Sequence, residues 1–311
     1  MKALKNERIL ITGPTGQIAF PMAVELARDN EVWGIARFKD ESKRQHLESL
    51  GIRTRSIDLA NPDFRDLPDD FTYVIHLAAF IGLKPNFDRA LTVNAEGTGL
   101  LMEHCRKARA FFSMSSCSIY AAPQDPYHPV KESEALSGEA LPYSPTYIAS
   151  KTAQEAVARV CARLFNLPTT IARMNVSYGP NGGLPAYQFD AMLAQKPVQV
   201  LSDRPSICSP IYQDDIVAQV GGLLSAASVP ATIVNWAGDD GVDVEVYCRY
   251  MADIVGIKPE FERSPHSVKH TVTDNSLRRA IVGDCQVKWQ DGMRRMIAAR
   301  HPEIKFKAWS G

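Results

Sequence analysis

The sequence lacks the marks of several classes of protein. None of its six cysteines forms a C-x-x-C pair, so we expect no bound metal and no redox dithiol. Lysine plus arginine and aspartate plus glutamate both number 35, a balance that predicts neither a nucleic acid nor a membrane as a partner. The most apolar stretch, residues 217–237, is interrupted by polar residues, glycines and a proline, so we expect no membrane span. A polar start without a signal peptide predicts a reduced, cytoplasmic protein.

What the chain has is an alternation of short apolar runs with stretches of helical spacing. Predicted strands are 8–12, 31–36, 52–56, 73–77, 110–114 and 169–173, and predicted helices lie near 18–28, 42–50, 87–107 and 146–165. This order predicts an α/β protein with a Rossmann-type doubly wound parallel sheet. We assign residues 1–180, plus a strand at about 231–237, to this dinucleotide-binding domain. Residues 181–311 are predicted to form a smaller substrate-binding lobe.

A glycine turn follows the first predicted strand. It reads Thr12-Gly13-Pro14-Thr15-Gly16-Gln17-Ile18-Ala19 and leads into the first predicted helix. Glycines let backbone N–H groups approach a pyrophosphate, and the helix N-terminus adds a partial positive charge. Although such a turn alone is often only a turn, its context predicts a dinucleotide site. The predicted contacts from this segment are Gly13, Thr15, Gly16, Gln17 and Ile18.

The ends of the next strands predict the rest of the cofactor site. Arg37 stands at the tip of the second strand, where an acid would select NAD and an arginine accommodates a 2′-phosphate. We therefore predict NADP(H), with NAD(H) possible; a solvent-facing arginine is the alternative. Asp58, followed by Leu59, could accept a bond from adenine or cap a short helix. Leu77, Ala78 and Ala79 end the fourth strand, where the small alanines would let the backbone lie close to the cofactor.

Tyr147 and Lys151 are the predicted catalytic pair. They stand four residues apart on a predicted helix and so share a face. A phenol titrates near 10, and a positive lysine with the oxidised nicotinamide would lower its pKa by the roughly 3 units that a base at pH 7 needs. Ser116, with Ser118 in reserve, lies at the carboxyl end of a central strand, where ligands bind in such sheets. A serine-rich strand end that makes only turn bonds is the alternative.

Together these motifs resemble the extended short-chain dehydrogenase/reductase family, also called the NAD-dependent epimerase/dehydratase family. The shared segments include the glycine turn, Asn94-Ala95-Glu96-Gly97-Thr98, Tyr147 with Lys151, Tyr178-Gly179-Pro180 and Ile211-Tyr212-Gln213-Asp214-Asp215-Ile216. The resemblance implies that Tyr147 is the acid/base, that Lys151 lowers its pKa and holds the nicotinamide ribose, and that Ser116 orients the substrate oxygen. It also implies that Asn94 supports the cofactor site. Homodimers built from the helices near 87–107 and 146–165 are usual in the family.

One departure from the family pattern guides the substrate prediction. Sugar-nucleotide members usually carry an arginine before the Ile-Tyr-x-x-Asp segment to meet the diphosphate, but this chain has Cys208-Ser209-Pro210 there, with Arg204 as the nearest substitute. We therefore predict hydride transfer between the nicotinamide and a small secondary alcohol or ketone, and not a nucleoside diphosphate sugar. The alternatives are a nucleotide-sugar 4-epimerase and, outside catalysis, a dinucleotide-sensing regulator, which the catalytic pair disfavours. The predicted substrate contacts are Phe80, Ser116, Tyr147, Asn175 and Pro210.

Overall fold

The computed structural model of the protein describes residues 4–307. Its strands are β1 Arg8–Thr12, β2 Glu31–Ala36, β3 Arg53–Ser56, β4 Tyr73–His76, β5 Ala110–Ser116, β6 Thr169–Met174, β7 Ser177–Gly179, β8 Gly182–Gly183, β9 Val198–Leu201, β10 Ile207–Cys208, β11 Ile211–Tyr212, β12 Thr232–Trp236, β13 Val242–Asp243 and β14 Phe261–Ser264. Its α-helices are α1 Ala19–Leu26, α2 Glu41–Ser49, α3 Phe87–Leu91, α4 Gly97–His104, α5 Tyr147–Leu164, α6 Leu184–Leu193, α7 Gln213–Ser225, α8 Val244–Val255, α9 Ser276–Val282 and α10 Trp289–Arg300. No helix in this part of the chain is both long and apolar enough to cross a bilayer.

Seven parallel strands form the central sheet, in the spatial order β12-β6-β5-β4-β1-β2-β3. Side chains alternate between its faces, so Ile9 and Ile11 of β1 pack with α1 and α7, while Leu10 packs with α4 and α5 on the other side. All three are fully buried, because helices cover both faces of a parallel sheet. The predicted Rossmann-type doubly wound sheet is confirmed.

The position of β1 in the sheet determines where a ligand can bind. It pairs with β2 on one side and β4 on the other, so the chain order reverses at this strand. The crevice beside the carboxyl ends of the strands at such a reversal is the usual ligand site of open α/β sheets. The glycine turn leaves β1 at this point.

The predicted helix over 87–107 differs in the structure. A π-helical segment, Thr92–Glu96, separates α3 from α4. Within it, the Asn94 side chain accepts a hydrogen bond from Phe80 N (2.6 Å) and donates to Phe80 O (3.0 Å) and to Ser150 Oγ (2.9 Å). Single π turns inside helices occur often at functional sites. Here the turn ties the loop after β4 to α5.

The chain beyond residue 180 contributes to two hydrophobic cores. Phe189, Tyr247 and Met293 belong to a separate core built from α6, α8 and α10, and this core forms a lobe. In contrast, Val220 of α7 and Trp236 of β12 pack into the same core as the sheet residues of β1. The lobe is therefore interrupted by elements that return to the Rossmann sheet.

Candidate active site

A cavity of about 890 Å³ lies beside the carboxyl ends of the central strands. Its wall combines the glycine turn, the ends of β2, β4 and β5, the start of α5 and parts of the lobe. The predicted residues on this wall are Gly13, Thr15, Gly16, Gln17, Ile18, Arg37, Asp58, Leu59, Leu77, Ala78, Ala79, Phe80, Ser116, Tyr147 and Asn175. The predicted residues Asn94, Lys151 and Pro210 are not on the wall.

The glycine turn is packed closely enough to require glycine. Gly13 has φ +68°, and a Cβ there would lie 3.2 Å from Ala78 Cα. A Cβ on Gly16 would lie 3.1 Å from Gly13 O. This cradle of small residues, at the reversal point of the sheet, fits the pyrophosphate of a dinucleotide.

A buried polar chain behind the turn was missed by the sequence analysis. Thr12 Oγ1 accepts hydrogen bonds from Leu77 N (3.0 Å) and Ala78 N (2.9 Å), and it lies 2.8 Å from His76 Nδ1. On the other side of the ring, His76 Nε2 lies 2.8 Å from Thr98 Oγ1. Burial, with a smaller contribution from Lys151, lowers the pKa of His76 to about 3, so its imidazole is neutral at pH 7. These hydrogen bonds hold the carboxyl ends of β1 and β4 together.

The part of the cavity wall that follows β2 carries three basic residues and Asp40, whose carboxylate lies 4.0 Å from Lys43 Nζ. Lys39 and Lys43 line it together with Arg37, and neither lysine was predicted. Asp58 accepts a hydrogen bond from Ala60 N (3.1 Å) and pairs with Arg89 (2.7 Å), as a turn-capping carboxylate does.

Ser116 and Tyr147 both line the cavity and lie within hydrogen-bonding reach of each other. Ser116 ends β5 and accepts a hydrogen bond from Ser118 N (3.1 Å), while Tyr147 begins α5. Burial raises the pKa of Tyr147 to about 12, and a hydrogen bond with Ser116 acts in the opposite direction. In the protein alone, desolvation of the phenolate therefore outweighs the nearby polar groups. The lowering expected from Lys151 together with an oxidised nicotinamide stays a prediction.

Lys151 is buried near this pair, and its ammonium group has two hydrogen-bond acceptors. Its Nζ donates to Met114 O (2.7 Å) and to Gln154 Oε1 (2.7 Å), and it lies 5.9 Å from the centre of the Tyr147 ring. Burial lowers the pKa of Lys151 to about 7. Gln154, which also donates to Ser113 Oγ (3.0 Å), was missed, although its i+3 spacing from Lys151 on α5 was a visible signal.

The side chain of Asn175 forms hydrogen bonds with the backbone of segments near the cavity. Its Nδ2 donates to Thr271 O (2.9 Å), and its Oδ1 accepts from Val176 N (2.9 Å) and Ser209 N (3.1 Å). These bonds hold the segment Val268–Thr271 at the cavity wall, where no motif predicted it. Pro210 lies outside the wall because its carbonyl packs against Gly238, where a Cβ would come within 2.0 Å of Pro210 O.

The lobe side of the cavity is formed by residues that carry no recognisable motif. They are Tyr143, Leu184, Tyr187, Val268, Lys269 and His270. Burial lowers the pKa of His270 to about 4, so this imidazole is neutral at pH 7. Lys269 Nζ lies 3.1 Å from a carboxylate oxygen of Glu139.

The chain is similar to several known proteins. It is 27% identical to protein CapI of Staphylococcus aureus, over 80% of this chain and 78% of that protein. It is also 27% identical to UDP-glucuronate 4-epimerase 1 of Arabidopsis thaliana, over 70% of this chain and 55% of that protein. The structure of UDP-glucuronic acid 4-epimerase from Bacillus cereus, in complex with UDP-glucuronic acid and NAD, matches with a TM-score of 0.81 at 23% identity and covers 95% of this chain and 99% of that one. At this identity the structural likeness shows the shared fold.

Two of these relatives are named for UDP-glucuronate, a nucleoside diphosphate sugar, and they contradict the prediction of a small carbonyl or alcohol substrate. The prediction depended on the missing arginine at Cys208-Ser209-Pro210. It considered only Arg204 as a substitute for that cation. The structure instead brings Lys269, from much later in the sequence, to the cavity wall.

The sequence profile of the NAD dependent epimerase/dehydratase family matches residues 9–235. This match includes all seven strands of the central sheet except Arg8 and Trp236 at their ends, and it covers more than half of the chain. It confirms the resemblance seen in the motifs, and with it the prediction of an NAD(P)-dependent enzyme. The protein therefore belongs to the NAD-dependent epimerase/dehydratase family.

Proposed function

We propose that the protein is a nucleoside diphosphate sugar 4-epimerase, which inverts the hydroxyl-bearing carbon 4 of its sugar. The observation that carries the proposal is a single cavity that joins the glycine turn to Ser116 and Tyr147 and continues to the lobe. Its volume of about 890 Å³ is near the upper end of the roughly 300–1,000 Å³ range of ligand pockets. The cavity is therefore large for a single small ligand, and it extends from the glycine turn past Tyr147 to the lobe.

The residues that line the cavity suit a dinucleotide whose adenosine lies near the end of β2 and whose nicotinamide lies near the end of β5. Gly13 and Gly16 would hold the pyrophosphate, Arg37 and Leu59 would flank the adenosine, and Ser116 and Tyr147 would lie beside the nicotinamide. Bound there, the dinucleotide supplies a centre that accepts a hydride from the carbinol carbon and returns it.

Tyr147 would move the proton that accompanies this redox change. Its phenolic oxygen takes the proton of the carbon-4 hydroxyl as the ketone forms, and returns it when the ketone is reduced from its other face. Ser116 donates a hydrogen bond to the same substrate oxygen and fixes its position. Since burial raises the pKa of Tyr147 to about 12, the phenolate needs nearby positive charge.

Lys151 would provide part of that charge from behind the ring. Its two hydrogen-bond acceptors, Met114 O and Gln154 Oε1, stabilise the ammonium form against burial. Gln154 is thereby a positioning residue for the lysine.

We also propose that the protein prefers NADP(H). Arg37, Lys39 and Lys43 all line the adenosine end of the cavity. Asp40 lies beside Lys43 on the same wall, but the three cations still leave a net positive charge there. Such a charge suits a 2′-phosphate better than a free hydroxyl.

A homodimer through α4 and α5 is our further proposal. Leu100, Val160 and Leu164 expose 44%, 48% and 72% of their surface on these two helices. Val160 and Leu164 are one turn apart and share a face of α5. A second copy of the chain would cover this apolar surface.

Incubation with UDP-glucuronate, UDP-glucose and UDP-N-acetylglucosamine, without added dinucleotide, tests the proposed function. Chromatographic separation should reveal the carbon-4 epimer of at least one sugar, formed in both directions. A protein that binds dinucleotide yet converts none of them would contradict the proposal.

A further inference from the structure

Within the proposed function, the charge of the diphosphate needs a partner. A nucleoside diphosphate carries about two negative charges, and proteins meet such groups with charge-assisted hydrogen bonds. Cys208 is fully buried and points its thiol at Val242 O. Arg204 donates to Pro123 O (2.7 Å) and is not on the cavity wall. Neither of the positions that the sequence offered can supply the charge.

Four lysines and arginines of the described chain line the cavity, and three of them cluster after β2 at the adenosine end. These are Arg37, Lys39 and Lys43. The fourth, Lys269, lines the cavity from a separate segment, together with Val268, His270 and Thr271. It is the one lining cation of the described residues that does not come from the segment after β2.

The backbone that carries Lys269 is fixed at several points. Thr271 O accepts from Asn175 Nδ2 (2.9 Å), and Asn175 follows β6, whose last residue pairs with Ser116. Val272 O accepts from Val130 N (3.0 Å), and Asp274 N donates to Val130 O (2.9 Å). The segment is therefore anchored next to the catalytic strand ends, while the side chain of Lys269 stays 42% exposed.

The present partner of Lys269 can be exchanged. Its ammonium pairs with Glu139 at 3.1 Å, and the Glu139 side chain is 64% exposed. Such a solvated pair contributes little because water and salt screen it. A diphosphate brings twice the charge of the carboxylate into a more enclosed position.

We propose that Lys269 leaves Glu139 and binds the diphosphate of the substrate, as the cation that replaces the arginine missing before β11. This inference rests on the proposed function. It assigns Glu139 as the group that holds the lysine while the substrate is absent.

Calorimetry with UDP, on protein loaded with its dinucleotide, tests the proposal. Lys269→Met keeps the apolar stem and removes the charge, so it should weaken UDP binding tenfold to a hundredfold. Uridine, measured by ligand-observed NMR, should bind equally well to both forms. Lys269→Arg should recover most of the UDP affinity, and Glu139→Gln should leave it equal or tighter.

Lys107→Met is a matched control, because Lys107 also forms an exposed ion pair (with Asp69, 2.6 Å) but lies off the cavity wall. It should not change UDP affinity. Unchanged UDP binding by Lys269→Met, or an equal loss for UDP and uridine, would overturn the assignment of Lys269 alone. If the wild-type protein itself fails to bind UDP, both the assignment and the proposed function are wrong.

Discussion

At the scale of single residues, Lys151 combines a positive charge with complete burial. Burial lowers its pKa from 10.5 to about 7, so between these values the unfolded chain binds more protons than the folded one. Stability should therefore rise with pH in this window, by on the order of 1 kcal/mol between pH 7 and 8.5 from this group alone.

Urea unfolding of dinucleotide-free protein at several pH values measures this slope. Lys151→Met should remove the rise between pH 7 and 8.5, whatever its effect on absolute stability. A variant with the same pH dependence as the wild type would show that the lysine is not desolvated as described.

The proposed preference for NADP(H) depends on Arg37. Arg37→Glu should weaken NADP(H) binding by at least tenfold, because it replaces an attraction for the 2′-phosphate with a repulsion. NAD(H) affinity should stay equal or increase. Fluorescence titration with both dinucleotides measures this, and Lys258→Glu, an exposed change of the same charge in the lobe, is the control. Tighter NAD(H) than NADP(H) binding by the wild-type protein would refute the preference.

Sequence reasoning located residues whose position depends on a strand end. The glycine turn, Arg37, Ala78 and Ser116 all follow predicted strands, and parallel strands bring their carboxyl ends to one edge. Lys269 could not be found in this way, because it reaches the cavity through Asn175 and Thr271, a contact between distant segments.

At the scale of elements, the junction of the π turn with α4 depends on Gly97. A Cβ at this position would lie 2.6 Å from Leu59 O, a backbone atom of the loop after β3. Overpacking costs about 1–3 kcal/mol, whereas helix propensity alone would favour alanine by about 1 kcal/mol. We expect Gly97→Ala to destabilise the protein.

Urea unfolding of Gly97→Ala beside Gly138→Ala isolates the contact. A Cβ at Gly138 meets nothing within 4 Å, so that variant should be as stable as the wild type. A stabilised Gly97→Ala protein would mean that the helix and the Leu59 loop are less closely packed than described.

The π turn itself was not predictable from periodicity. Apolar residues continue at helical spacing through 87–107, and a single five-residue turn changes that spacing by only one position. Within the turn, Asn94 forms two hydrogen bonds with the backbone of Phe80. This is a tertiary contact, which sequence periodicity does not record.

At the scale of the whole molecule, the alternation of strands and helices was enough to predict the central sheet. Each βαβ unit is local in sequence and right-handed, so few arrangements remain. The interruption of the lobe by α7 and β12 follows from long-range burial, of Val220 and Trp236 among others, and local patterns do not record it.

The proposed homodimer is a whole-molecule property. Val160→Glu and Leu164→Glu place charges on the exposed face of α5 and should convert a dimer to monomers in analytical ultracentrifugation. Val246→Glu changes a residue of α8 that is 52% exposed and should leave the dimer intact. A wild-type protein that sediments as a monomer at micromolar concentration would refute the dimer.

Oxidation and re-reduction of carbon 4 of a nucleotide sugar in this cavity can be followed with deuterium at that carbon. UDP-glucuronate, UDP-glucose and UDP-N-acetylglucosamine labelled in this way are incubated with the protein without added dinucleotide, and the products are analysed by NMR and mass spectrometry. We expect a carbon-4 epimer that retains its deuterium. Tyr147→Phe should still bind UDP but form the epimer at least about a hundredfold more slowly. An epimer that has exchanged its deuterium for a solvent proton, or equal rates for Tyr147→Phe and the wild type, would show that this redox cycle does not take place at Tyr147.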